Sequence, residues 1–130
     1  MSTNDCLPDA EPALRVVAMP KDANPFGDIF GGWIMAHMDS AGGTAAIRRA
    51  QGRVATVAVE SFTFRQPVHV GDVVSFYAFE ERIGNTSLTF RVQAWREGRD
   101  GRGAIMVTDG LFTFVAIDED RRKRPVPPAA

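Results

Sequence analysis

Gly31, Gly32 and Asp39 are the residues whose types and spacing point most directly to chemistry. They lie in Asn24-Pro25-Phe26-Gly27-Asp28-Ile29-Phe30-Gly31-Gly32-Trp33-Ile34-Met35-Ala36-His37-Met38-Asp39, which runs from a turn-forming loop through paired glycines into an apolar, helix-compatible segment. Glycines at a helix start leave backbone N–H groups approachable, with no Cβ in the way. Those groups sit at the positive end of the helix dipole and favour an oxyanion. Asp39 places a carboxylate within an apolar helix, and burying a charge is costly unless something requires it. Together these features suit a site that polarises a carbonyl and activates a water. Plainer roles exist for each. Asp39 can cap or break the helix before Ser40-Ala41-Gly42-Gly43, and the glycine pair can serve close packing alone.

These residues must be positioned by a fold, and the rest of the chain indicates which. Leu14 to Met19 reads as a first strand ended by Pro20. Gly32 to Ala50 reads as a helix that is apolar nearly all round, the mark of a buried helix, with Arg48 and Arg49 suiting its C-terminal end. Gly42 and Gly43 inside it imply either close packing or a break. Four strand-like runs follow: Arg53 to Arg65, Val73 to Phe79, Leu88 to Ala94, and Ala104 to Ile117. The order is β-α-β-β-β-β. The run Arg53 to Val59 is apolar on both alternating faces, so it is expected to be covered on both sides. One helix cannot cover both faces of five strands, which implies a second copy of the chain. Residues 1–12 read as a loose arm, 13–118 as the folded domain, and the basic, proline-rich 119–130 as a tail.

The 130 residues allow one domain with a real core. A net charge of −1 gives no support to a nucleic-acid partner. A single cysteine, Cys6, fits a reducing, cytoplasmic setting, and no window approaches the length of a membrane span. Two histidines and one cysteine offer no metal-ligand spacing. His37 lies about 200° from Asp39 around the helix, so the pair does not form a dyad, and His69 falls in a turn.

The glycine-led stretch, with Gly52-Arg53-Val54-Ala55-Thr56-Val57-Ala58-Val59-Glu60-Ser61, Pro67-Val68-His69-Val70-Gly71-Asp72-Val73-Val74 and Val107-Thr108-Asp109-Gly110-Leu111-Phe112-Thr113-Phe114-Val115-Ala116, closely resembles the hot-dog-fold acyl-CoA thioesterases, particularly the bacterial YciA-like group. The likeness covers roughly residues 14–117, in the order read above. It implies an α+β hot-dog domain: a five-stranded antiparallel sheet wrapped around a helix and paired into a homodimer, with dimers often assembled into hexamers. It implies hydrolysis of acyl-CoA to a free acid and coenzyme A, with no cofactor beyond the CoA of the substrate. It also implies catalytic roles for Asp39 and Asn24. The chain departs from the family in carrying Asn85 where a second basic residue is common, and in lacking a lysine near Gln66.

Within that resemblance, the Gly32 N–H, with that of Gly31, would hold the carbonyl oxygen. Asp39 would deprotonate water or attack the carbonyl itself, and Asn24 would orient the water or the thioester oxygen. Arg82, Gly84, Asn85, Thr86 and Ser87 form a polar loop suited to the CoA nucleotide, although a plain hairpin explains the same residues. Gly32 and Asp39 are about 10 Å apart along one helix, on nearly the same face. A reacting carbonyl and water need groups about 3 Å away, so two antiparallel helices across a two-fold axis are expected to share each site. A non-catalytic hot-dog module sensing acyl-CoA or nucleotide is the competing reading, and Asp39 argues against it. A hot-dog dehydratase would want a histidine paired with an acid, and neither histidine is so placed.

Overall fold

The computed structural model describes residues 6–98, 100, 101 and 103–129. Strand β1 (Leu14–Val17) leads through a 3-10 turn (Pro20–Asp22) to helix α1 (Gly31–Ala50). Strands β2 (Val54–Phe64), β3 (Val73–Ile83), β4 (Ser87–Glu97) and β5 (Ala104–Ala116) follow. They form one antiparallel sheet in the order β1-β3-β4-β5-β2. The β-α-β-β-β-β order read from sequence holds, with shifted ends. β3 runs past Phe79 because Glu80, Arg82 and Ile83 continue the ladder opposite Phe90, Thr89 and Leu88 despite their charges.

The core lies between α1 and one face of the sheet. Ile34, Met38, Ala41, Ala46 and Ala50 are buried with Phe76, Leu88, Val92, Phe112 and Phe114. The helix is unbroken at Gly42-Gly43. A Cβ on Gly42 would lie 3.1 Å from both Phe114 and Val92, so this glycine serves close approach of helix and sheet. Trp33 packs on the β3 side, against His37 and Phe76.

The opposite face of the sheet carries a smaller cluster of Tyr77, Trp95 and Ala104, as strand alternation requires of residues adjacent to Phe76 and Ala94. Leu7 packs against this cluster, so the described part of the N-terminal arm is not loose. Residues 1–5 lie outside the described residues.

The C-terminal segment also departs from expectation. It does not leave the core. Residues 117–127 fold back onto the domain, with Arg124 N donating to the Ala116 carbonyl (3.0 Å) and Val126 N to the Asn85 carbonyl (2.8 Å). Backbone bonding of this kind leaves no side-chain periodicity for a sequence reading to find.

β2 is an edge strand, and in the single chain it is largely uncovered: Val57 is 57% exposed, and Val59 and Phe64 also stand open. Its ladder with β5 slips between Glu60 and Thr63, where Ser61 adopts a left-handed φ of 53°. The slip lays the Phe62 ring over Gly110, where any Cβ would sit 2.7 Å from the ring.

Candidate active site

The loop before α1 is closed by its own backbone and by Asn24. Asn24 N donates to the Asp28 carbonyl (2.7 Å), and its side-chain Oδ1 accepts from Phe26 N (2.9 Å) and Asp28 N (3.1 Å). The turn role weighed for Asn24 is therefore real, and it occupies the amide oxygen. What this side chain can still offer a ligand is its Nδ2 donors. A β-bridge and a 3.4 Å contact between His69 Nδ1 and the Asp28 carboxylate join Asp28 to His69 and hold the loop beside the β2–β3 connection.

α1 then begins with Phe30 as its N-cap, which supplies no side-chain bond. Among the described residues, the N–H groups of Gly31 and Gly32 have no hydrogen-bond acceptor. The two glycines differ in surroundings. A Cβ on Gly31 would meet the Phe64 ring at 3.1 Å, whereas one on Gly32 would meet nothing within 4 Å. Gly31 answers to packing, and Gly32 opens onto a cavity.

That cavity, about 380 Å³, is walled by Gly32, Met35, Ala36 and Asp39 of α1, by Thr56 and Val59 of β2, and by Phe112 of β5. Gly32 and Asp39 thus share one groove, as the helical spacing requires. Asp39 is half-buried, and its Oδ1 accepts a 2.8 Å hydrogen bond from the Thr56 hydroxyl. Thr56, which sequence reasoning did not single out, is the residue that contacts the Asp39 carboxylate. In sequence it is one more β-branched residue in a strand, and only the packing of β2 beside α1 singles it out.

Another carboxylate in the matching motifs, Asp109, is differently placed. Asp109 accepts from Arg65 (3.0 Å) and Arg91 (3.3 Å) and is held as a structural ion pair. His37 is not turned to Asp39. Its Nδ1 lies 2.8 Å from the Trp33 carbonyl, and its ring stacks on Phe76.

Asn24 does not line the groove. In one chain it belongs with the N-terminal end of α1, because Phe30 N bonds Asp22 O two residues before it. Asp39 lies about 10 Å further along the axis. The Arg82–Ser87 loop is elsewhere again, at the C-terminal end of α1. Thr86 O accepts from Ala116 N (2.9 Å), and Ala116 pairs with Val54 just after the helix. Arg82, Gly84 and Asn85 are exposed there. A second cavity, about 490 Å³, lies on the β3 side of α1, with Arg48, Arg49, Glu80 and Phe90 among its walls, and contains none of the candidate residues.

One helix against a five-stranded antiparallel sheet, with a glycine-led helix start and a helical carboxylate facing β2, is the hot-dog arrangement of a thioesterase. The family model described as the thioesterase superfamily matches residues 26–101, and the chain belongs to that family. Within it, the chain is 45% identical to the acyl-CoA thioester hydrolase YciA of Salmonella typhimurium, over 98% of each chain. It is 51% identical to an uncharacterized acyl-CoA thioester hydrolase of Zymomonas mobilis, over 93% of this chain and 81% of the relative. The solved structure of a hexameric thioesterase from Yersinia pestis superposes with a TM-score of 0.89 at 44% identity, covering 95% of this chain and all of that one (100%).

Proposed function

We propose that the chain is an acyl-CoA hydrolase that cleaves an acyl-CoA thioester with water to a carboxylic acid and free coenzyme A. The observation that carries this is a groove with a carboxylate, Asp39, fixed by Thr56 at 2.8 Å at one end and the unpaired Gly32 N–H at the other, each open to a second copy of the chain. The names of the relatives support it. Gly32 N–H, with Gly31, stabilises the oxyanion, and the Nδ2 of Asn24 donates to the same oxygen or to the attacking water. Asp39 acts as general base or nucleophile, and the thiolate leaves with the CoA. The Arg82, Gly84, Asn85, Thr86 and Ser87 loop contacts the CoA portion. CoA is part of the substrate, and the reaction asks for no cofactor or metal.

The site is shared between subunits. Gly32 and Asp39 of one chain are too far apart to act on one carbonyl. A second copy laid antiparallel over the exposed β2 edge and α1 brings its Asp39 to the first chain's Asn24 and Gly32. Covering Val57, Val59 and Phe64 supplies the hydrophobic driving force. Three such dimers assemble into a hexamer, and the similar Yersinia pestis thioesterase is itself hexameric. The enzyme works in the cytoplasm, without a nucleic-acid or membrane partner.

Thiol release should be measured across acyl-CoAs from short to long chain. Hydrolysis across part of the panel is the expected result. Tight acyl-CoA binding with no thiol release would instead establish the sensor module.

Thr56→Val keeps the shape of the side chain and removes only the hydroxyl that orients Asp39. It should lower kcat about tenfold, the worth of one hydrogen bond to a charged group, with KM little changed. Thr56→Ser should recover most of that loss. A Thr56→Val enzyme with unaltered kcat would show that the hydroxyl does not position the base.

A further inference from the structure

The basic, proline-rich C-terminal segment has a job at the substrate. We propose that residues 117–127 form a clasp that holds the β3–β4 loop against the C-terminal end of α1, with Arg124 as a positioning residue for CoA binding. The proposal rests on the reading of that loop as the CoA contact.

The clasp begins with a reversal. Asp118 Oδ1 accepts from Asp120 N and Arg122 N, both at 2.9 Å, and Arg121 takes a left-handed φ of 63°. The chain therefore doubles back, and Lys123 bridges to Ile117. This delivers the Arg124 side chain to the end of α1. Its Nε donates to the Ile117 carbonyl (3.0 Å), and its Nη2 to the Ala50 carbonyl (3.0 Å). Ala50 carries one of the last carbonyls of the helix, which have no partner within it, and the guanidinium also meets the negative end of the helix dipole. Gly52 makes room: a Cβ there would sit 2.7 Å from Arg124 Nη2.

Two residues later the same segment reaches the loop. Val126 N donates to the Asn85 carbonyl (2.8 Å), while the Val126 side chain packs against the core. Arg49 Nη1 donates to the Pro127 carbonyl (2.5 Å), closing the span from helix to strap. Pro125 and Pro127 restrict the strap before it docks, which lowers the entropy lost on docking.

The loop has little else to hold it. Its own backbone contributes Gly84 N to Ser87 O (2.8 Å), and its other described backbone bonds run to Ala116 and Val126. The Asn85 and Thr86 carbonyls are thus turned toward the domain, and Arg82 and Asn85 remain exposed to meet a ligand. A loop fixed in this way binds without paying again for its ordering.

The test compares Arg124→Ala and Arg124→Lys with the wild-type enzyme on two substrates, an acyl-CoA and the matching acyl-pantetheine, which lacks the nucleotide. Arg124→Ala should raise KM for the acyl-CoA about tenfold, the cost of re-ordering a freed loop, with kcat held within about twofold. Acyl-pantetheine kinetics should not move. Hydrogen exchange at residues 84–86 should quicken, and Arg124→Lys, which keeps a cation at the helix end, should recover part of both effects. Equal losses on the two substrates would reduce Arg124 to a general stability role and overturn the proposal, and so would unchanged exchange at the loop. Arg82→Ala separates the underlying reading. If exchange quickens in Arg124→Ala but neither variant alters KM, the loop does not bind CoA, and the functional half of the proposal falls with that reading.

Discussion

Replacing Asp39 by alanine is expected to lower kcat for acyl-CoA hydrolysis by about 10²–10⁴-fold, the range for removing a positioned general base. That corresponds to roughly 3–5 kcal/mol of barrier. The stability cost should be smaller, since a half-buried side chain at a groove wall gives up one hydrogen bond, to Thr56, worth about 1.5 kcal/mol for a charged acceptor. The two effects can therefore be told apart by following thiol release and thermal unfolding on the same preparation. Asp39→Asn is the sharper variant. Its amide oxygen can still accept the Thr56 hydroxyl, so orientation survives while the carboxylate is lost, and the activity should fall as far as in Asp39→Ala. A folded Asp39→Ala protein that keeps more than about a tenth of wild-type kcat would remove Asp39 from the chemistry. A single turnover in ¹⁸O-water tests whether Asp39 is the nucleophile, label in its carboxylate being the positive result. Attack by the carboxylate itself places label in Asp39 when the acyl-enzyme is hydrolysed at the aspartyl carbonyl, whereas general-base attack places it only in the released acid.

The sequence was informative about this site in proportion to how local each signal is. Gly32 and Asp39 are seven positions apart, and helix periodicity alone puts them on one face, where they line the same groove. The succession of strands along the chain is legible because alternation persists along Leu88 to Ala94 and the turns carry glycine, whereas their order in the sheet is not. Glu80 to Ile83 was lost because its charges resemble a loop, although the hairpin with β4 keeps them paired. Thr56 was invisible for a different reason. Its contact with Asp39 depends on the sideways register between β2 and α1, which no single-strand pattern encodes. The C-terminal clasp was misread because arginine and proline signal a solvated tail by composition, whereas here the arginine answers the unpaired carbonyl of a helix end. Asn24 was half legible. A residue before proline reads as a turn, and it is one, yet the turn uses the oxygen of the amide and not its donors.

Mixed assemblies of Asn24→Ala and Asp39→Ala chains are expected to regain activity that neither variant has alone. Each chain presents Asn24 and the glycine N–H groups at one end of α1 and Asp39 well along it, about 10 Å from Gly32 on the helix axis. Under the proposed arrangement, an isologous two-fold contact over the open β2 edge would pair each end with the opposite end of the partner. In a mixed dimer, one site then combines the intact Asn24 of one chain with the intact Asp39 of the other, and the second site lacks both. Random mixing yields mixed pairs in half the dimers, so recovery should approach about a quarter of wild-type activity. Two different affinity tags and tandem purification of assemblies first dissociated to dimers isolate the mixed dimers, in which about half the sites are intact and the recovery should double. Against a background lowered a hundredfold or more in each parent, this gain is large enough to read by thiol release without correction. Activity that stays at the parental level in verified mixed dimers would mean that Asn24, Gly32 and Asp39 of a single chain serve one substrate. The groove would then have to close along α1 by a movement that brings the helix start and Asp39 onto the same carbonyl.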